Sequence, residues 1–208
     1  MAISTYSELK DAVANWTARS DLASGGSNIN RVDEIIDNAE AMLNRDLRAR
    51  DMETKNAAYS ITGEYVAVPT DFLEVRSFEL EVTPRVSLVF LPDDSQNDMY
   101  GTGSGEPRFF SVAGGNFRFA PVPDGTYTAT LSYYAKVPAL SGTQTTNWVL
   151  TSHPDLYLAA CMIWAGAFLK DGASVNEWRS VYTGMVGDLQ RSSSRSRWGG
   201  NGMAIRCA

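Results

Sequence analysis

The chain has 208 residues, of which 44 % are hydrophobic and 11 % aromatic, a composition that suffices for a sizeable hydrophobic core. Its 18 basic and 24 acidic side chains give a formal net charge of −6, which argues against general binding to nucleic-acid phosphates or to an anionic membrane surface. One cysteine lies in an apolar run and the other beside the last residue, and the first residues lack a signal-peptide pattern, so we expect a protein made in a reducing cytoplasm.

Two amphipathic helices are predicted at the start of the chain. The first begins near Thr5, because Thr5 and Glu8 have capping-box spacing and apolar residues follow at intervals of three and four. The second runs from about Asn30 to Asp51 and has one apolar and one charged face. Its end carries three arginines, Arg45, Arg48 and Arg50. They either form intrahelical pairs on a solvated face or pair with acidic groups of a neighbouring subunit.

The middle of the chain, residues 52–144, changes from helical to alternating periodicity. Short runs rich in β-branched and aromatic residues, "EYVAV", "FLEVRSFEL", "RVSLVF", "RFFSV", "NFRFA" and "TYTATLSYYAKV", predict an inserted antiparallel β-sandwich or barrel-like domain. The turn signals "AGGN" and "VPDGT" predict that the last three strands form a meander. The polar stretch "LPDDSQNDMYGTGSGEP" is typical of a mobile loop that has room for one helical turn.

Helical character returns with "SHPDLYLAACMIWAGAFLKD". Its fourteen uncharged residues from Leu156 to Leu169 fall short of the roughly 20 that a membrane-spanning helix needs. We therefore predict the most deeply buried helix of the protein, with Pro154 and Asp155 in its first turn. Apolar residues at heptad-like spacing predict a last helix from about Ser174 to Arg191.

Two helices thus precede the β-domain and two follow it. This order predicts an α+β fold in which both chain ends, residues 1–51 and 145–191, build a four-helix core. Residues 192–208, "SSSRSRWGGNGMAIRCA", are basic and glycine-rich. We predict that they form an extended tail that orders on a partner.

The patterns of catalysis and of metal or cofactor binding are each broken. "GTGSGE" has Glu106 where a dinucleotide-binding loop requires its third glycine. A calcium-loop pattern from Asp93 has Asp98 in place of the required glycine and Ser104 in place of the glutamate. The single histidine, His153, cannot complete a zinc site with two cysteines, and no nucleophile-elbow sequence accompanies it. We expect no enzymatic activity, no cofactor and no metal.

Two rival functions fit parts of the sequence. Tyr127, Tyr133 and Tyr134 suggest a carbohydrate- or ligand-binding β-module on a helical base, although the even spacing of the first two suits a sandwich core better. Three arginines and a tryptophan near the end of the chain could neutralise and stack on a nucleic acid: Arg191, Arg195, Arg197 and Trp198. A protein surface lined with carboxylates would suit these arginines equally, and we favour the protein partner.

The order helix, helix, β-insertion, helix, helix and tail resembles the head-to-tail adaptor, or connector, proteins of tailed bacteriophages, particularly short-tailed ones. The similar stretches are "TYSELKDAVANW", "AEAMLNRDLRARDMET", "VPTDFLEVRSFEL", "LSYYAKVPAL" and "NWVLTSHPDLYLAACMIWAGAFLKD", which cover about half of the chain. They are family-like phrases and not chemical motifs, so the resemblance depends on their joint occurrence in this order.

The resemblance implies a structural virion protein at the head–tail junction, made in the cytoplasm of the bacterial host. It implies a homo-oligomeric ring of about twelve copies that lies beneath the portal protein. This ring would carry the tail nozzle protein and extend the DNA channel. DNA would pass through the lumen without specific binding, and no membrane is involved.

The resemblance also assigns roles to particular residues. Family members tend to insert a C-terminal segment into the portal, which here would contain Arg191, Arg195, Arg197, Trp198, Met203, Ile205 and Arg206. A contact between subunits would use Arg45, Arg48 and Arg50. The loop from Pro92 to Pro107 would face the nozzle or a neighbouring subunit through Asp93, Asp94, Asp98 and Tyr100.

Overall fold

The chain folds into two compact units. A computed structural model describes residues 3–22, 29–100 and 103–197, with the side chains of Ser20, Ile29, Asn30, Asp98, Tyr100, Ser196 and Arg197 excepted. Residues 52–136 form a β-unit, and the flanking parts of the chain form a helical unit. The predicted α+β class is confirmed. This compact β-unit spans residues 52–136, and the sequence-based prediction for the inserted domain is 52–144.

The helices of the described residues are, in chain order, α1 Tyr6–Trp16, α2 Ile29–Asp46, α3 Asp93–Tyr100, α4 Trp148–Ser152, α5 Pro154–Phe168 and α6 Gly172–Arg197. Only α3 belongs to the β-unit. The predicted capping box of α1 is confirmed, since Thr5 Oγ1 accepts from Glu8 N–H and Glu8 Oε2 accepts from Thr5 N–H. The first helix therefore begins where local chemistry dictates.

The second helix is shorter than predicted. α2 ends at Asp46 and not at Asp51, and a 3-10 turn follows at Arg50–Met52. The Arg48 side chain donates to the carbonyl oxygens of Asn44 at 2.9 Å and Leu47 at 2.5 Å. An arginine that bonds to the last carbonyls in this way stabilises a helix end.

The predicted buried helix is confirmed in α5, where every residue from Leu156 to Ile163 is buried. α5 packs against α1, α2 and α6, so it is the centre of the helical unit. Two side chains of α2 bind the chain that leads toward it: Asn44 Oδ1 accepts from Val137 N–H, and Glu40 Oε1 accepts from Leu140 N–H. The segment after Lys136 is thereby part of the helical unit.

The last helix is longer than predicted. α6 continues to Arg197, so residues 192–197 are helical and not part of an extended tail. Ser193 is buried, and its Oγ accepts from Arg50 N–H at 2.7 Å. This tertiary bond fixes a serine-rich turn whose intrinsic helix propensity is modest.

The strands of the β-unit are β1 Glu53–Ile61, β2 Tyr65–Ala67, β3 Phe72–Leu80, β4 Val86–Ser87, β5 Val89–Phe90, β6 Ser104–Gly105, β7 Phe109–Ala113, β8 Asn116–Ala120, β9 Val122–Pro123 and β10 Tyr127–Ala135. They form two four-stranded sheets, β1-β10-β3-β4 and β2-β8-β7-β5, and the pair β6-β9. The core contains residues from both four-stranded sheets, with edge-to-face contacts of Phe78 to Phe110, Phe117 and Phe119.

The predicted meander of the last three strands is wrong. β7 and β8 form the expected hairpin, with Gly114 and Gly115 at positive φ, but β10 pairs with β1 and β3 in the other sheet. β1, β3 and β10 each have nine residues, whereas β8 has five. Pairing with β1 and β3 therefore satisfies the backbone of β10 over its length, which β8 could not do.

Candidate docking surfaces

Three hydrogen bonds join the end of α2 and the turn that follows it to α6. Tyr182 OH donates to Asp46 Oδ2 at 3.0 Å, and Gln190 Nε2 donates to Asp46 O at 2.9 Å. The third is the bond between Arg50 and Ser193 described above. The structure thus brings together two sets of residues that the sequence suggested separately, the arginines after residue 44 and those of the last helix.

The three arginines at the end of α2 have different surroundings. Arg45 and Arg50 are exposed, whereas Arg48 is half-buried and bonds to carbonyl oxygens of its own helix end. Arg45 lies close enough to Tyr182 for its charge to oppose the rise in the pKa of that phenol, which burial and Asp46 cause. Of the three arginines, Arg45 and Arg50 are therefore the two with exposed side chains.

The end of α6 carries exposed charge. Arg191 and Arg195 line a shallow depression of about 540 Å³ together with Asp188 and Ser192. Arg191 pairs with Asp188 one turn away, at a site where both side chains are exposed. Such a pair contributes little stability, so the guanidinium can exchange it for another carboxylate. Arg197 ends α6, and its side chain is outside the description, as are Trp198, Met203, Ile205 and Arg206 altogether.

A second depression lies beside this one. It has a volume of about 280 Å³ and is lined by His153 and Asp155 from the start of α5 and by Met185 and Leu189 from α6. Apolar side chains of one helix thus border a charged helix start, and both depressions include Asp188 and Ser192. The C-terminal half of α6 consequently presents mixed polar and apolar surface.

Residues 93–100 of the predicted nozzle-facing loop form the helix α3, and an ion pair holds the first residue of this helix. Asp93, at the start of α3, accepts from Arg118 Nη1 at 2.7 Å, and Arg118 Nε donates to Glu64 Oε1 at 2.8 Å. The Arg118 side chain is only 9 % exposed, and the bond to Asp93 is the main cause of its raised pKa. Asp93 therefore stabilises the β-unit, whereas Asp94 is exposed.

Two other predicted residues of α3, Asp98 and Tyr100, lie in the helix, but their side chains are outside the description. Met99 between them has a side chain that is 63 % exposed. The exposed part of α3 is therefore less uniformly acidic than the sequence suggested.

The β-unit also contains an apolar groove that is not among the sequence-based predictions. It has a volume of about 530 Å³, and its lining includes Phe72, Val75, Phe78, Phe90, Phe110 and Val112. Phe90 is 58 % exposed and Val112 is 45 % exposed. The run Leu88-Val89-Phe90-Leu91 was the available signal, because four consecutive apolar residues exceed what a strand with one buried face requires. We call this feature the edge groove.

The aromatic residues that suggested ligand binding are structural. Tyr133 is buried in the core, where its hydroxyl donates to Asp71 at 3.0 Å and burial raises its pKa to about 12. Tyr127 packs against the same core, and Tyr134 is also buried. The interpretation of this strand as sandwich core is confirmed.

The nucleophilic and acidic groups of the core are likewise structural. Cys161 is fully buried, and burial raises the pKa of its thiol.

No group of three or more His, Cys, Asp or Glu able to hold a metal ion occurs within residues 3–22, 29–100 and 103–197. Among the same residues, we find no helix with the length and hydropathy needed to cross a bilayer.

Exposed arginines at a helix end and exposed apolar side chains beside a strand edge are features of proteins that act by binding other proteins. The sequence model of the family described as SU10 adaptor protein matches residues 4–205. The chain therefore belongs to the SU10 adaptor protein family, and the predicted resemblance to phage head-to-tail adaptors is confirmed. A comparison with curated proteins finds no match.

Family membership gives the chain a structural role in the phage particle. An adaptor lies at the junction of head and tail and contacts other head–tail proteins. The two units are both included in the match, so this role applies to the whole fold.

Proposed function

We propose that this adaptor forms a homo-oligomeric ring of about twelve copies between the portal protein and the tail nozzle protein of a short-tailed phage. The observation that carries the proposal is the family match over residues 4–205. The ring would extend the DNA channel, and the net charge of −6 supports passage of DNA without specific binding. Synthesis would take place in the host cytoplasm, and no membrane or cofactor enters the proposal.

The proposed contact with the portal is the end of α6 and the residues that follow. Its members are Arg191, Arg195, Arg197, Trp198, Met203, Ile205 and Arg206. Support comes from the exposure of Arg191 and Arg195 and from the weak pairing of Arg191 with Asp188. Carboxylates on the portal would replace that pair, and the apolar residues would provide the buried anchors that interfaces need.

The proposed contact between neighbouring subunits uses the charge distribution of α2. Its first half exposes Glu34 and Asp37, and its end exposes Arg45, with Arg50 in the turn that follows. A ring requires a heterologous interface, in which two different patches meet. An acidic patch and a basic patch at opposite ends of one helix suit that requirement, with Arg48 positioned to support the basic end.

The proposed contact with the nozzle is the β-unit. Asp94 offers an exposed carboxylate at the start of α3, while Asp93 fixes the helix through Arg118. Asp98 and Tyr100 complete the proposed nozzle-facing set.

The experiment is a pull-down on immobilised portal rings, followed by negative-stain imaging of the retained material. The full chain is compared with a chain of residues 1–197, which keeps the bond of Ser193 to Arg50 and so preserves the helical unit. We expect the full chain to be retained as a ring and the shortened chain to be lost. Equal retention of both chains would contradict the portal contact through the residues after 197, and retention of neither would contradict binding to the portal. Retained material that is not ring-shaped would contradict the ring.

The charge contribution is tested separately with Arg191→Ser and Arg195→Ser in the full chain. Both residues are exposed, so the variants should fold, and we expect weaker retention that depends less on salt. The matched control is Arg179→Ser, which removes an exposed arginine from the first half of α6. Retention of that control should match the unmodified chain.

A further inference from the structure

The sheet that contains β3 has an incomplete edge. On the side opposite β10, β4 pairs with β3 only at Glu79 and Leu80, and Leu88 N–H donates to Phe78 O. β4 does not extend along the first half of β3, so this half of the strand is an edge of its sheet within the described parts of the chain. Backbone donors and acceptors along such an edge are available to an incoming strand.

The pairing with β4 stops beside an irregular stretch of β3. The register of β3 with β10 shifts between Ser77, opposite Ser132, and Val75, opposite Tyr133, so no residue of β10 lies directly opposite Arg76, whose side chain pairs with Glu53. A bulge bends its strand and increases the local twist. β4 follows β3 on one side of this bend and not on the other.

The facing sheet has a matching gap. β5 pairs with β7 only at Phe109 and Phe110, and Leu91 N–H then donates to Phe110 O. Residues 111–113 of β7 have no described strand partner on that side. The edge groove is lined by residues of both incomplete edges, including Val75 of β3 and Val112 of β7.

The chemistry of the edge groove limits what fits it. Its lining is mostly apolar, and Phe90 and Val112 expose large side chains that a partner could cover. Residues 52–136 contain six basic and eleven acidic side chains, a net charge of −5, which favours a partner with basic flanking residues. Open backbone edges beside apolar pockets are the features by which proteins bind extended peptide strands.

We infer that the edge groove binds an extended segment of the tail-side partner as an added strand along residues 73–77 of β3. Apolar side chains at alternate positions of that segment face Phe90 and Val112, and basic residues flank it. The inference rests on the proposed function, because the partner is the nozzle protein that the β-unit is proposed to contact. It adds the site and the kind of segment that binds there.

The test uses portal–adaptor complexes with and without added nozzle protein. Hydrogen exchange of the peptide that covers residues 73–77 should slow when the nozzle binds. In an added strand, carbonyl oxygens of the nozzle segment would accept hydrogen bonds from the backbone N–H groups at this edge. Phe90→Asp should weaken nozzle retention by about tenfold or more, since it places a charge in an apolar contact. The matched control is Val89→Asp, because Val89 is equally exposed but does not line the groove.

The outcomes separate the inference from the function on which it rests. Nozzle retention with unchanged exchange at residues 73–77 and no effect of Phe90→Asp would overturn the inference and leave the nozzle contact standing. Equal losses for Phe90→Asp and Val89→Asp would also overturn it, because a general charge effect would then explain both. Failure of the unmodified adaptor to retain the nozzle would refute the proposed contact itself. Circular dichroism of each variant checks that the β-unit is folded.

Discussion

Glu40 connects three parts of the helical unit, and its replacement by alanine should strongly destabilise that unit. Its Oε1 accepts from Leu140 N–H at 2.7 Å and from Tyr157 OH at 2.6 Å, and Tyr157 is fully buried. Alanine removes this acceptor from both donors. Each buried donor left unsatisfied costs about 1–3 kcal/mol, so Glu40→Ala should lower the free energy of unfolding by about 2–5 kcal/mol.

Glu40→Gln is the matched control, because the amide keeps an oxygen at the same position. It should lie within about 1–2 kcal/mol of the unmodified chain. Urea denaturation followed by tryptophan fluorescence measures the difference, since all five tryptophans lie outside the β-unit and report the helical unit. A loss below about 1 kcal/mol for Glu40→Ala, or equal losses for the two variants, would refute the reasoning.

The dependence on pH gives a second check on Glu40. Burial raises the pKa of its carboxyl above the ordinary 4.5, against hydrogen bonds from Leu140 and Tyr157 that lower it. The folded state therefore holds this proton more tightly than the unfolded state. The contribution of Glu40 is fully present below the unfolded pKa and declines as pH rises through the folded pKa. The stability of the unmodified chain relative to Glu40→Gln should accordingly fall as pH rises above the ordinary carboxyl pKa of 4.5, and a rise would contradict the burial argument.

Three further experiments test other contacts. Arg118→Ala should destabilise the β-unit by about 1–3 kcal/mol and speed hydrogen exchange in α3, because two carboxylates lose their guanidinium partner; unchanged exchange would exclude this tie. Gly166→Ala should lower the melting temperature, because its β-carbon would lie 3.0 Å from a side chain of α6, whereas Gly184→Ala meets nothing within 4 Å and should stabilise by up to about 1 kcal/mol. In a Cys207→Ser background, Cys161 should react with a thiol reagent only at the unfolding rate, since its thiol is buried; fast reaction would show access in the folded state.

Elements with local signals were predictable from the sequence. α1 begins at its capping box, and α5 is a long apolar segment. Both helices could therefore be predicted from neighbouring residues alone. β1 was not predicted, because most of its residues are exposed and only Tyr59 and Ile61 are buried. It is an edge strand that pairs with β10 far along the chain, and no local alternation marks it.

The candidate surfaces were predictable in composition but not in arrangement. The arginines near the end of α2 are evident in the sequence. Only the structure shows that Arg45 is exposed, whereas Arg48 bonds to carbonyl oxygens at the end of its own helix. The length of α6 likewise depends on Ser193, whose partner is 143 positions away. The edge groove arises from a bulge and from two incomplete strand pairings, and pairing between distant strands leaves no local trace in the sequence.

The hydrogen bonds from α2 to the chain after the β-unit have a consequence for biosynthesis. When α2 leaves the ribosome, the groups that Glu40 and Asn44 bind have not been made, since Val137 and Leu140 follow about 100 residues later. The β-unit is continuous from 52 to 136, and all of its internal partners exist by then. Domains generally fold as units during synthesis. The β-unit can therefore fold first, while the first two helices wait for the second half of the helical unit.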